Sequence, residues 1–174
     1  MAAASTYVMT TALGGQTQTR DKIVAILNAT NLIYEVEASL RFELIPKTIT
    51  SLDLIFTNST DDPFVINSFF ASASNAQAGF TVLNGDTRLL YNEYDIGHTF
   101  NIYSGGNSAR GQAGPTPCVN TSKSRAWTEF TANASIGLIV GVFVHEIGHQ
   151  LGANHSFSFE EEPSEVQVEP GTGT

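Results

Sequence analysis

Residues 145–155 read His-Glu-Ile-Gly-His-Gln-Leu-Gly-Ala-Asn-His, and three of the chain's four histidines fall among them. On a helix, His145 and His149 stand four apart and project from one face, so both imidazoles can reach one metal ion. Gly152 can end that helix in a left-handed conformation and turn the chain back, which brings His155 to the same ion. Three neutral imidazoles leave a fourth position for water, the layout of a catalytic rather than a structural zinc site. Zinc held in this way lowers the pKa of its water toward neutrality and polarises a carbonyl. Glu146 is rotated about 100° round the helix from His145 and is not placed as a ligand. It is placed to take a proton from the water and return it to a leaving amine. With ordinary residue usage, five fixed positions match by chance in a chain of this length on the order of once in 10⁵.

A motif of this kind needs elements to carry it. Residues 136–144 are apolar on every face, which predicts a helix buried on all sides that delivers His145, Glu146 and His149 rigidly. Upstream, 7–11 are β-prone and read as a first strand. Residues 19–36 have helical spacing, with Ile23, Ile26, Leu27, Thr30, Ile33 and Tyr34 on one stripe, Thr19 as N-cap and Asp21 in the first turn. Residues 40–44 alternate apolar and charged, predicting a strand that completes a βαβ unit. Residues 52–57 form a short apolar run of either type. Asp61-Asp62-Pro63 reads as a solvated turn, with a calcium site as the alternative. One or two short helices are expected over 64–90, divided near Asn84-Gly85-Asp86.

Residues 95–103 alternate again, with Ile96, His98, Phe100 and Ile102 on one side, and predict a strand. His98 reads as a hydrogen-bonded sheet histidine, or alternatively as a group supporting the metal site or facing substrate. A Gly/Ser/Asn-rich stretch, 104–114, reads as a surface loop, and 125–130 as a further strand carrying Trp127, the single tryptophan. The tail around Glu160-Glu161-Glu162 is acidic and aperiodic, a mobile segment or a calcium loop.

At 174 residues the chain has the length of one domain, with enough apolar content for a core. A formal net charge of −9 and the lack of a basic cluster argue against nucleic acid or an anionic membrane as partner. The surface is polar but sparsely charged, as suits an extracellular protein. Residues 1–4 have neither the basic start nor the apolar stretch of a signal peptide, and the longest apolar run is too short to span a bilayer. Cys118 is the single cysteine, so it is half of a disulfide to another segment, a thiol that caps the metal, or an inert loop thiol.

The motif resembles that of the metzincin zinc metalloproteases, and within them the reprolysin (adamalysin) branch, with bacterial secreted reprolysin-like peptidases most similar. The resemblance rests on His145, Glu146, His149, Gly152 and His155 and extends weakly over most of the chain. Residues 94–100, Tyr-Asp-Ile-Gly-His-Thr-Phe, resemble the family's substrate-pairing edge strand, which would make Ile96, Gly97, His98 and Thr99 substrate-binding. Cys118 with Lys123-Ser124-Arg125-Ala126 resembles the stretch ahead of the active-site helix. The resemblance implies an α/β upper catalytic subdomain over 1–156. It would have a twisted, mostly parallel sheet, an antiparallel edge strand and two main helices, with 157–174 as the acidic start of a lower subdomain. It also implies a secreted, monomeric zinc endopeptidase that holds a protein or peptide substrate by main-chain pairing. Two departures stand out. Ser156 follows the third histidine where snake-venom and mammalian members have Asp, and Met1 and Met9, the only methionines, cannot form the methionine turn expected downstream. The ending 169–174 resembles the linker into that turn, so a chain that stops short of it is expected. Two functions follow from this: a zinc endopeptidase, or a zinc-binding but catalytically inactive interaction domain.

Overall fold

The computed structural model describes residues 1–64, 72–115 and 117–155. Expectations for Ser156, for the acidic tail and for the boundary at 156/157 lie outside these residues. In chain order the elements are β1 (Ala2–Ser5), α1 (Tyr7–Leu13), α2 (Gln16–Glu37), α3 (Pro46–Ile49), α4 (Ala73–Gly85) and a 3-10 turn (Tyr91–Glu93). Then follow β2 (Gly97–Ile102), β3 (Ala109–Ala113), β4 (Ala126–Phe130) and α5 (Ile136–Gln150). The strands form one sheet in the order β1-β2-β4-β3. β1 pairs parallel with β2, and β2 parallel with β4, while β3 runs antiparallel to β4. The expected fold class, a mostly parallel α/β sheet with one antiparallel edge strand, is the one observed.

Side chains alternate between the two faces of this sheet and feed two apolar clusters. Ala3, Phe100 and Phe130 join Ile23 and Ile26 of α2 and Phe143 and Ile147 of α5. Ala2, Ala4 and Trp127 join Phe80 and Leu83 of α4, with Leu54 and Phe64. The sheet is therefore a buried layer with helices on both sides.

Several local expectations are corrected. Residues 7–11 are helical, because Thr6 caps α1 by accepting the Met9 N–H at 3.1 Å and Gly14, at φ 91°, closes it. Two caps eight residues apart outweigh β-propensity. The first strand is instead the small, fully buried run at Ala2–Ser5. Thr19 is not an N-cap: α2 begins at Gln16, and the buried Thr19 hydroxyl donates to Gly15 O at 2.9 Å. Residues 40–44 form no strand. The Asn31 carboxamide takes both the N–H and C=O of Phe42, at 2.8 and 2.9 Å, so a side chain supplies what a ladder would. The expected βαβ unit is replaced by a long crossover from β1 to β2 through four helices. Asp61 is exposed as a solvated turn requires, but Asp62 is buried, accepting the N–H groups of Tyr7 and Phe64, and burial raises its pKa.

The two edges of the sheet differ. Along β1, Ile45 N–H donates to Met1 O, the Thr48 hydroxyl bonds both Ala3 N–H and Ala3 C=O, and Ser5 pairs with Leu54 and Phe56. Every outward backbone group at residues 1, 3 and 5 that these bonds cover is sealed, as natural edge strands require. β3 lies in the stretch expected to be a loop. Thr131 N–H bonds Ser108 O and Gly114 N–H bonds Arg125 O, so by antiparallel alternation 108, 110, 112 and 114 face β4. The N–H and C=O groups of Ala109, Gly111 and Ala113 consequently face away from β4, where no strand pairs with them among the described residues. On the far face of the strand, Arg110 Nε meets the fully buried Glu129 carboxylate at 2.6 Å, and Asn101 Nδ2 donates to its other oxygen at 3.0 Å.

α5 opens at Ser135, whose hydroxyl accepts the Leu138 N–H. Ile139, Val140, Phe143 and Ile147 are buried, but Ile136 and Leu138 remain 43% and 37% exposed. The helix is thus buried on one face rather than on all sides, because it lies on a single face of the sheet.

Candidate metal centre

α5 presents His145 and His149 one turn apart, and the chain beyond it reverses at Gly152, whose φ of 96° lies in the left-handed region. His155 returns across the helix end. The three Nε2 atoms form a triangle with sides of 3.0, 3.0 and 3.2 Å. Imidazole nitrogens about 2.0–2.1 Å from a tetrahedral zinc would stand about 3.3 Å apart, so the triangle has the size of a zinc face. Three converging ring nitrogens cannot all hydrogen-bond one another, since each offers either one lone pair or one proton. A cation at the centre satisfies all three.

The protonation pattern agrees. His149 Nδ1 is 2.8 Å from Ala153 O, and a carbonyl only accepts, so the proton sits on Nδ1 and the Nε2 lone pair points inward. Burial first, then the neighbouring His149 and His155, hold His145 below its ordinary pKa and favour the neutral ligand form. The donor set therefore fits zinc.

Glu146 lines the same cleft, a hollow of about 340 Å³ that it shares with the three histidines and with Gly111 and Ala113 of β3. It is only 5% exposed, and burial raises its pKa to about 7. Its Oε2 is buried and has no hydrogen-bond partner among the described residues, an orphan acceptor beside the histidine triangle. A larger groove of about 560 Å³, lined by Gln16, Asp53, Asp61 and Arg88 among others, has no histidine or cysteine in its wall.

The substrate residues expected on β2 are not at the cleft. Ile96, Gly97, His98 and Thr99 are all buried, and β2 has β1 on one side and β4 on the other, so no peptide can pair with it. Gly97 packs directly against the Ser124 side chain. The available edge is β3, which the sequence concealed because Ala-Arg-Gly-Gln-Ala shows neither alternation nor β-propensity.

His98 is a buried, hydrogen-bonded histidine of the sheet, the first of the readings the sequence offered. Gln150 Nε2 donates to Gly97 O at 2.9 Å and Lys123 O at 3.3 Å, which leaves Gln150 Oε1 to accept from His98 Nδ1 at 3.2 Å. His98 Nε2 then accepts the Thr128 hydroxyl at 2.9 Å. Gln150 follows His149 directly, so this network ties the histidine-bearing end of α5 to the sheet. Tyr34 of α2 also anchors α5, donating to Val144 O, six residues before Gln150, at 2.9 Å. Cys118 is exposed at φ 63°, with its N–H on Asp95 O, and is not among the described residues of the cleft wall.

The model of the M12B metallopeptidases, reprolysin-like, matches residues 1–174. The chain belongs to that family. Comparison with curated proteins gives no match. Membership in the reprolysin-like M12B family implies zinc and a peptidase activity, and it accounts for a histidine triangle mounted on α5 beside a mostly parallel sheet. Among the described residues, no helix of this M12B chain is long and apolar enough to cross a membrane.

Proposed function

We propose that the protein is a zinc endopeptidase that cleaves extended protein segments laid along β3. The observation that carries this reading is the convergence of three Nε2 atoms beside a buried carboxylate, at a sheet edge where, among the described residues, neither the Glu146 Oε2 nor the outer side of β3 has a partner.

His145, His149 and His155 would hold the metal, and Ala153 O would keep His149 in its ligating tautomer. Zinc, when bound there, supplies a Lewis acid that polarises the scissile carbonyl and acidifies a water. The outward N–H and C=O groups of Ala109, Gly111 and Ala113 would take the substrate as an added antiparallel or parallel strand, giving affinity with little dependence on side chains. Glu146 accepts a proton from water as the water oxygen bonds to the carbonyl carbon. It then returns that proton to the amide nitrogen as the C–N bond breaks, leaving a carboxylic acid and a free amine. No acyl-enzyme forms, because the attacking oxygen belongs to water.

The same reading makes the protein a secreted monomer whose partners are protein or peptide substrates. Unfolded casein tests it. The zinc-loaded protein should cleave casein, a chelator should abolish cleavage, and Glu146→Ala should lower the rate by about 10²–10⁴-fold. Stoichiometric zinc without cleavage would leave a zinc-binding interaction domain in place of the enzyme.

A further inference from the structure

Gly111 lies at the centre of β3, between Ala109 and Ala113, which share its face of the sheet. Its backbone conformation does not require glycine, for among the described residues only Gly14, Gly15 and Gly152 are glycines at positive φ. Space does require it. A Cβ at 111 would stand 2.6 Å from Glu146 Cγ, 2.9 Å from Glu146 Cδ and 2.8 Å from the Trp127 carbonyl oxygen. All three lie well inside ordinary van der Waals contact. Glu146 is 5% exposed, so its side chain cannot yield to a methyl group without moving its carboxyl carbon.

We propose that Gly111 is a positioning residue: the missing Cβ is the space in which the Glu146 side chain lies. Resting on the endopeptidase reading above, this gives one residue two tasks. Its N–H and C=O face the incoming peptide, and its bare Cα sets how closely that peptide's edge approaches the proton acceptor. With alanine at 111, either the Glu146 carboxyl group shifts in the cleft or β3 moves outward. Both change the spacing between the substrate backbone and the carboxylate, while the histidine triangle is carried by other elements.

The test is a cycle of Gly111→Ala, Glu146→Ala and the double variant, all zinc-loaded. Gly111→Ala should keep stoichiometric zinc and a KM for casein within about threefold, while kcat falls on the order of 100-fold, the scale of a 1 Å misplacement. Its thermal midpoint should drop, and the drop should be clearly smaller in the Glu146→Ala background, where Cγ and Cδ are gone. An equal drop in both backgrounds overturns the proposal, because the glycine then serves only the Trp127 carbonyl and the β3–β4 pairing. If Gly111→Ala alone does not fold, a folded double variant supports the contact, and an unfolded one overturns it. Wild-type protein without peptidase activity refutes the functional reading instead, and the midpoints still decide the contact.

Discussion

His98 should make the protein lose stability as the pH falls below neutrality, by an amount the structure sets. Its ring is wholly buried between Phe100 and Phe143, with centroids 5.1 and 4.8 Å away, and burial, outweighing the opposing Gln150 bond, lowers its pKa from 6.5 to about 3. Above pH 6.5 neither the folded nor the unfolded chain carries this proton, and His98 contributes nothing to the pH dependence. Below pH 6.5 the unfolded chain binds a proton that the folded chain refuses. Stability then declines by up to about 1.4 kcal/mol per pH unit until the folded pKa near 3 is reached. From pH 7.5 to pH 5 the loss from this residue is about 2 kcal/mol.

His98→Asn removes the titrating ring but keeps an amide N–H that can face Gln150 Oε1. Urea unfolding of both zinc-loaded proteins at pH 7.5 and pH 5 isolates the effect, since protonation of the metal ligands is common to both. At pH 7.5 the variant should be less stable by roughly 2–4 kcal/mol, from packing lost against the two phenylalanines. At pH 5 that gap should have narrowed by about 2 kcal/mol. A gap that stays constant between the two pH values would refute the reasoning, because it would mean that His98 takes up its proton inside the fold.

Three further substitutions probe how the sheet and the metal centre are held. Thr48→Val removes the hydroxyl that satisfies both backbone groups of Ala3, so it should cost about 2–3 kcal/mol in urea unfolding and raise light scattering on storage as the β1 edge opens. An unchanged midpoint would mean that β1 needs no seal. Gln150→Leu strips Gly97 O of its Gln150 donor and frees the end of α5, and zinc affinity measured against a competing chelator should fall by roughly 10–100-fold. Wild-type affinity in a folded variant would show that the network behind His149 does not position it. Tyr34→Phe deletes the bond to Val144 O and should lower stability by about 1 kcal/mol in thermal unfolding, with zinc stoichiometry retained.

How far the sequence could be read depended on whether an element's own side chains hold it in place. The stripe of Ile23, Ile26, Leu27, Thr30, Ile33 and Tyr34 predicted α2; its first four residues are buried there, while Tyr34 is half-buried and Ile33 is exposed near the helix end. The alternation of 95–103 predicted β2, and 125–130 with Trp127 read as the strand that is β4; both lie inside the sheet with their side chains packed. The metal motif was legible for a related reason: two turns of helix and one glycine fix three imidazoles without help from distant segments. Where a remote or single group substituted for the usual local signal, the reading went wrong. Asn31 satisfies Phe42 in place of a strand partner, Thr6 and Gly14 turn a β-prone run into α1, and β1 is three alanines and a serine held by parallel register with β2.

β3 was the least legible element, and its concealment follows from what an open edge must do. A strand with bulky alternating side chains would be visible in sequence, but here those side chains would fill the cleft beneath α5. On the cleft face β3 therefore carries Ala109, Gly111 and Ala113, residues with little or nothing beyond the backbone. Its order comes from β4 on one side and from the Arg110–Glu129 pair on the far face. A strand kept in place by its neighbour can leave its remaining backbone groups for a passing peptide, and it can lie against Glu146 at a distance that a side chain would forbid. The absence of strand signals in 109–113 and the closeness of Gly111 to the carboxylate thus have one physical cause. On the proposed function the main chain is the working surface there, and any residue that advertised the strand would obstruct it.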